Sequence, residues 1–269
     1  MWKLIHRKQK KLNSLLDSNY KTESVKQKIE KYLIAILAEV GELINSTDYK
    51  WWKKTEPDIQ NIQIEVVDIL HFLQSIAITL EELNVIDLAF VDVIDSIIKD
   101  IFKDNKPSNC YQCIINLVDN LIALKNHVDS YVDAKNLQNA NKNDILNQSI
   151  NICRAYLLQT YIWFANLAYC YGLNYENLVK LYFAKNIVNK LRKEFKDKQE
   201  RLDKNYLYDL QNKNDNANKE LNTNTQHTQQ NIDDNRLLMQ HINELPNINS
   251  EDDLEKLETA IRKLFTNSV

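Results

Sequence analysis

The sequence predicts an all-α protein, a multi-helix bundle, from three observations. Only two glycines and three prolines occur in 269 residues, apolar residues recur at helical spacing over long runs, and 44% of the chain is hydrophobic. Average usage would bring about 19 glycines and 13 prolines. Tight turns, hairpins, bulges and phosphate loops draw on those residues for their unusual backbone angles, so architectures built on them are excluded. A chain this long with that apolar share has ample material for a core.

The elements follow in order. The basic start, Met1 to Lys11, runs without a cleavage-like break into a helical pattern and is read as the first helix rather than a targeting peptide. Ile29, Leu33, Ile36, Val40 and Leu43 step by 4, 3, 4, 3, and Ile62, Val66, Ile69, Leu73, Ile76 and Leu80 continue that rhythm on a second helix. Residues 46–58 between them form a polar, aromatic loop. Residues 84–103, 110–135 and 144–171 read as three further helices. After Gly172, another starts near Tyr175 with Asn174 as its cap. Residues 1–205 therefore form one helical unit.

Composition then changes. Eleven of the twenty-one residues from Gln211 to Asn231 are Asn or Gln, and such a stretch buries too little apolar surface to offset its ordering entropy. Residues 206–249 are read as a flexible linker. Residues 250–269 are read as a short terminal helix, opened by Ser250-Glu-Asp-Asp and striped by Leu254, Leu257, Ile261 and Leu264.

Net charge is −3, from 34 basic and 37 acidic residues, which gives no global attraction to nucleic acid or anionic lipid. Charges interrupt each apolar run, so no membrane span is expected. Four cysteines (Cys110, Cys113, Cys153, Cys170) do not make a disulfide framework, and a reducing, cytoplasmic setting is expected. Cys110-Tyr-Gln-Cys113 has metal-like spacing but no second pair, and a structural role suits it better.

Chemistry concentrates in a few places. Glu39 and Glu42 on one helix, and Glu65 and Asp68 on the next, each stand three residues apart and share a helix side. At about 100° per residue, Glu39 lies roughly 60° and Glu65 roughly 40° from its apolar stripe. Carboxylates at a core edge are costly unless paired or metal-bound. Two packed helices would gather four oxygen donors, a set suited to Mg²⁺ or Mn²⁺ rather than Zn²⁺. The alternative is ordinary surface acids paired with Lys or Arg.

Lys185, Asn189 and Arg192 share a face of a later helix and suit a phosphate chain, the other reading being the Lys and Arg that decorate most exposed helices. Tyr49-Lys50-Trp51-Trp52-Lys53-Lys54 sets aromatic faces among lysines in a loop that no core stripe requires, an arrangement fit for stacking on a base. A loop tryptophan clamped onto the fold is the other reading. His71 fits a satisfied histidine better than a partner of the metal ligands.

Taken in order, these segments resemble the dimeric all-α dUTPases of the all-α nucleotide pyrophosphohydrolase superfamily, which includes MazG-like proteins. Gln9-Lys-Lys-Leu-Asn13 is similar to the family's first-helix Gln/Asn motif, Glu39-Val-Gly-Glu42 to its ExxE helix and Lys50-Trp-Trp52-Lys53 to its Lys/Trp loop. Glu65-Val-Val-Asp68 is similar to its ExxD helix, and Lys185-Asn186-Ile-Val-Asn189-Lys-Leu-Arg192 to its KNxxNxxR segment. The likeness weakens after Arg192, where Lys193-Glu-Phe-Lys replaces the usual Gln and glycine-containing segment.

The resemblance implies an all-α NTP pyrophosphohydrolase bundle that hydrolyses dUTP to dUMP and pyrophosphate with Mg²⁺, Mn²⁺ being a substitute. It implies that Glu39, Glu42, Glu65 and Asp68 hold metal, with Glu39 or Glu42 as the base. By the same resemblance Gln9 and Asn13 read uracil and Trp52 packs on the nucleoside. Lys50, Lys53, Lys185, Asn186, Asn189 and Arg192 make up the rest of the substrate site, and the molecule is a homodimer. Three alternatives remain beside it: a pyrophosphohydrolase for dCTP or another nucleotide, a di-iron bundle suggested by Asp68-Ile-Leu-His71, and a non-catalytic helical scaffold.

Overall fold

A computed structural model describes residues 1–104, 109–136, 142–211 and 227–266. Among these, nine helices occur and no strand: α1 (Trp2–Leu16), α2 (Val25–Asn45), α3 (Ile59–Glu82), α4 (Leu88–Asp104), α5 (Cys110–Ala134), α6 (Lys142–Cys170), α7 (Tyr175–Gln211), α8 (His227–His241) and α9 (Glu251–Thr266). The two counted stripes lie inward, with Ile29, Ile36 and Leu43 of α2 and Ile62, Val66, Ile69, Leu73, Ile76 and Leu80 of α3 all buried.

With so few glycines and prolines, short polar side chains start and stop the helices. Ser24 and Gln27 form a reciprocal capping box on α2, Asp58 accepts from Asn61 N at 3.1 Å on α3, and Asn109 accepts from Gln112 N at 3.0 Å on α5. Asn174 accepts from Asn177 N at 2.8 Å, as expected for the start of α7. Two left-handed residues end helices: Gly172 (φ 79°) after α6 and Asn84 (φ 61°) after α3, where Val85 N reaches back to Leu80 O at 2.9 Å. Asn takes the place of glycine there because its short polar side chain tolerates that conformation.

α3 is the central element and touches α1, α2, α6, α7 and α8, while α5 and α6 form a long antiparallel pair that also meets α2 and α4. By length and composition α3 is apolar enough to cross a membrane, contrary to the expectation that charges interrupt each run. In this fold 83% of that stretch is buried, so its apolarity is that of a core helix. None of the four cysteines forms a disulfide.

The tail departs from expectation. The stretch read as linker contains α8, and Leu238, Met239, Leu245 and Ile248 are buried against the main core. The Asn/Gln-rich window ends just before Leu237-Leu-Met239, the residues that give α8 an apolar face. The terminal helix appears as α9, with Leu254, Leu257 and Ile261 buried and Asp253 accepting from the Ser250 backbone at 3.1 Å. Most of the Asn/Gln-rich run, 212–226, lies outside the described residues.

Candidate active site

Four helices contribute, each through one polar stripe. On α3, Glu65, Asp68, His71 and Ser75 step by 3, 3 and 4; on α7, Tyr182, Lys185, Asn189 and Arg192 step by 3, 4 and 3. α2 brings Glu39 and Glu42, and α1 brings Gln9 and Asn13. Because α3 lies against α1, α2 and α7, the stripes converge.

Three of the four carboxylates of the ExxE and ExxD helices come together, and Asp68 is not in the group. One oxygen from each of Glu39, Glu42 and Glu65 lies within 4.8 Å of the other two, with Glu65 buried, Glu39 half-buried and Glu42 open to solvent. Burial first and the nearby Asp68 second push the Glu39 and Glu65 carboxyls well above the usual range, and Glu65 donates a hydrogen bond to Glu39. Ionising both would set two like charges side by side at a largely buried site, so each carboxyl opposes ionisation of the other.

Asp68 sits beside this group and is committed elsewhere. Its Oδ2 pairs with Lys185 Nζ at 2.9 Å, with the lysine side chain only 3% exposed. Burial pushes the Asp68 carboxyl up, and the ammonium pulls it back. Three carboxylates packed this closely, with all-oxygen donors and the nearest buried lysine taken by Asp68, fit a hard divalent cation. No histidine joins the cluster among the described residues.

A second network surrounds Gln9. Its Oε1 accepts from Tyr182 Oη at 2.6 Å and from His71 Nδ1 at 2.8 Å; its Nε2 donates to Asn13 Oδ1 at 2.8 Å and Ser75 Oγ at 3.3 Å. An amide oxygen only accepts, so His71 carries its proton on Nδ1 and presents a lone pair on Nε2. The imidazole stacks on Tyr182 at 4.3 Å, and burial drives its pKa down to about 3, so it stays neutral. Gln9 has every hydrogen-bonding atom engaged. Within this network the buried side-chain atoms without a hydrogen-bond partner are Asn13 Nδ2 and His71 Nε2.

Tyr182 and Ser75 were not singled out from sequence. A signal existed in their spacing: Tyr182 is one turn before Lys185, and Ser75 is one turn after His71. His71 is partly the satisfied histidine expected, through Nδ1 alone.

On α7, Arg192 Nη1 donates to Asn189 Oδ1 at 3.3 Å, so Lys185, Asn189 and Arg192 do share one face. Asn186 lies beside Tyr182 with its Nδ2 buried and without a partner among the described residues. The aromatic loop is pinned at its base, where Asp58 N donates to Ser46 O at 2.8 Å and Asn61 Nδ2 to Ser46 Oγ at 2.8 Å. Its tip is open: Trp51 is 90% and Trp52 62% exposed, set edge to face at 5.6 Å, with Lys50 over the Tyr49 ring. The rings are not clamped onto the core, and Lys53 is exposed beside them. At the start of the loop Ser46 donates to the Glu42 backbone oxygen at 3.1 Å, and among the described residues no hydrogen bond or ion pair joins the side chains of residues 49–54 to the carboxylates.

Comparison with protein families gives a match to the dUTPase model over residues 1–196, from α1 into α7. No curated protein matches the chain. The matched span contains the three-carboxylate group, the Gln9 network and the Lys185 to Arg192 face, and it leaves α8 and α9 outside. Family members are dUTP diphosphatases, hydrolases of a nucleotide that generally depend on a divalent metal. The chain belongs to the dUTPase family.

Proposed function

We propose that this chain hydrolyses dUTP to dUMP and pyrophosphate with Mg²⁺, held by Glu39, Glu42 and Glu65 with Asp68 adjoining. The observation that carries the reading is the convergence of three carboxylate oxygens within 4.8 Å of one another. When bound, the metal supplies charge neutralisation on the phosphates and lowers the pKa of a water. Glu39 or Glu42, at the open side of the group, takes the proton from the attacking water. Lys185, Asn189 and Arg192 bind the phosphate chain from α7, with Asn186 supporting that face and Lys50 and Lys53 approaching from the loop.

The uracil pocket is built on the Gln9 network. Gln9 acts by fixing its neighbours: it holds Asn13 with Nδ2 available as a donor and holds His71 in the tautomer that offers an acceptor. A donor beside an acceptor is what a uracil O4 or O2 next to N3–H requires. The carboxylate chemistry alone would serve dCTP or another nucleotide equally, and the family match is what favours dUTP. A di-iron site is disfavoured because His71 does not join the carboxylate group among the described residues.

Trp52 covers the nucleoside from the loop. Trp52→Ala is expected to change stability by no more than about 0.5 kcal/mol, since the ring is exposed. It should weaken dUTP binding by about 1–3 kcal/mol, the usual worth of base stacking. An unchanged KM would remove Trp52 from the pocket.

Metal removal supplies the test of the centre. Chelation should abolish turnover and added Mg²⁺ should restore it, whereas full activity in chelator would refute the metal role. pH adds a signed expectation. With no metal, the folded state keeps protons on Glu39 and Glu65 that the unfolded chain has released, so stability falls as pH rises from about 5 to about 8. Mg²⁺ displaces those protons, and its stabilisation of the protein should be larger at pH 8 than at pH 5.5. Equal thermal shifts at both pH values would place the metal elsewhere.

The partner is free nucleotide, which the family match supports, and a net charge of −3 gives no global attraction to nucleic acid or anionic lipid. A homodimer is supported by exposed Ile34 on α2 with Ile115 and Ile122, one stripe of the adjacent α5. A cytoplasmic setting is supported by four cysteines outside any disulfide. Light scattering should return twice the 31.7 kDa chain mass.

A further inference from the structure

The α7 cations assigned to the phosphate chain are already engaged by α8. Lys185 Nζ lies 2.9 Å from Asn235 Oδ1 as well as 2.9 Å from Asp68 Oδ2. Arg192 Nε donates to Asp234 Oδ2 at 3.1 Å, and Arg192 Nη2 lies 3.4 Å from Asn235 Oδ1. A carboxylate on a guanidinium and an amide oxygen bridging a lysine and an arginine are the positions phosphate oxygens would take. Both donated side chains come from a helix beyond the span that matches the family.

α8 is held in place, though not sealed. Leu238 and Met239 are buried, and α9 anchors the pair of helices through Leu257 and Ile261 and through Glu258, which pairs with Lys190 at 2.9 Å. Glu251 reaches across to Arg7 at 2.8 Å, tying α9 to α1. A partly open cavity nevertheless borders α8, lined by the polar Gln60, Gln63, Asn177 and Asn243 and by as many apolar side chains, so the seam is not fully packed.

We infer that Asp234 and Asn235 act as an internal competitor of the nucleotide's phosphate chain, so that α8 sets the affinity of the site for dUTP. The inference rests on the assignment of Lys185 and Arg192 to phosphate. Binding of the nucleotide displaces the two side chains from the cations, and apparent affinity is lowered by the fraction of molecules in which α8 is seated. Anchorage through α9 keeps the competitor at high local concentration after displacement.

The test uses the full chain with the double substitution D234A/N235A and inorganic pyrophosphate as probe. Expected are tighter pyrophosphate binding and a lower KM for dUTP, each by about five- to fiftyfold, the usual range of coupling between sites, with kcat unchanged. Arg192→Ala in the D234A/N235A background should lose that affinity. Tightening in the double variant that Arg192→Ala does not reverse would refute the phosphate role of Arg192. Unchanged or weaker binding in D234A/N235A, with Arg192→Ala still harmful, would overturn the competitor while leaving the phosphate role standing. Hydrogen exchange gives a readout without substitution: residues 234–241 should lose protection when pyrophosphate saturates the protein. Gained or unchanged protection would mean that α8 stays seated beside the ligand and would overturn the inference.

Discussion

Glu65→Gln should lower dUTP turnover on the order of a thousandfold while leaving helical circular dichroism unchanged. Glu65 is the buried member of the three-carboxylate group and the donor to Glu39. Glutamine keeps the size and can still donate an N–H to Glu39, so packing and that hydrogen bond survive. What disappears is one negative charge and one oxygen donor. At pH 8 the metal-free variant should therefore unfold at the same temperature as the unsubstituted protein or higher, since like-charge repulsion is relieved. The variant should also lose most of the thermal shift that Mg²⁺ gives. Retained turnover with a retained Mg²⁺ shift would show that the metal does not sit between α2 and α3.

Lys185→Met carries the largest stability effect. Lys185 and Asp68 form an ion pair whose side chains are 3% and 18% exposed. Removing the ammonium strands a largely buried carboxylate, a change that costs about 3–5 kcal/mol in comparable pairs. Chemical denaturation should show that loss. The double variant Lys185→Met/Asp68→Asn should recover most of the stability, because the stranded charge is gone. It should recover none of the activity, because the phosphate-facing cation and the carboxylate next to the metal group are both lost. A single variant as stable as the parent would mean that the pair does not hold α3 to α7.

These two expectations separate what the sequence made legible from what it did not. ExxE and ExxD lie next to counted apolar stripes, so their edge-of-core position follows from helical geometry alone. Lys185, Asn189 and Arg192 were legible in the same way, as one face of a single helix. The Asp68 to Lys185 pair was not, because it joins residues far apart in the chain and depends on α3 lying against α7. Gln9 is similar: its motif identifies it, but the saturation of its amide by Tyr182, His71, Asn13 and Ser75 arises only when three helices meet. A tyrosine or serine one turn from a motif is too common to stand out by itself.

The tail shows the opposite failure. An Asn/Gln-rich composition gives no reason to expect a core, but composition is averaged over a window, and Leu238 and Met239 at the end of α8 find a core made by other helices. Asp234 and Asn235 then land on Arg192 and Lys185, a placement with no local signature. In the aromatic loop, the sequence showed that no core stripe requires two tryptophans, and the structure leaves both rings in solvent.

The central claim is that paired carboxylates and a Gln9-ordered uracil pocket belong to one site. It is tested most directly by incubating the full chain with Mg²⁺ and, separately, dUTP, dCTP, dTTP and UTP, quantifying monophosphate and pyrophosphate in each case. The expected result is stoichiometric dUMP and pyrophosphate from dUTP, with the other three cleaved far more slowly. Equal cleavage of dCTP would contradict the pocket while sparing the carboxylates, and no Mg²⁺-dependent cleavage of any nucleotide would contradict the whole site.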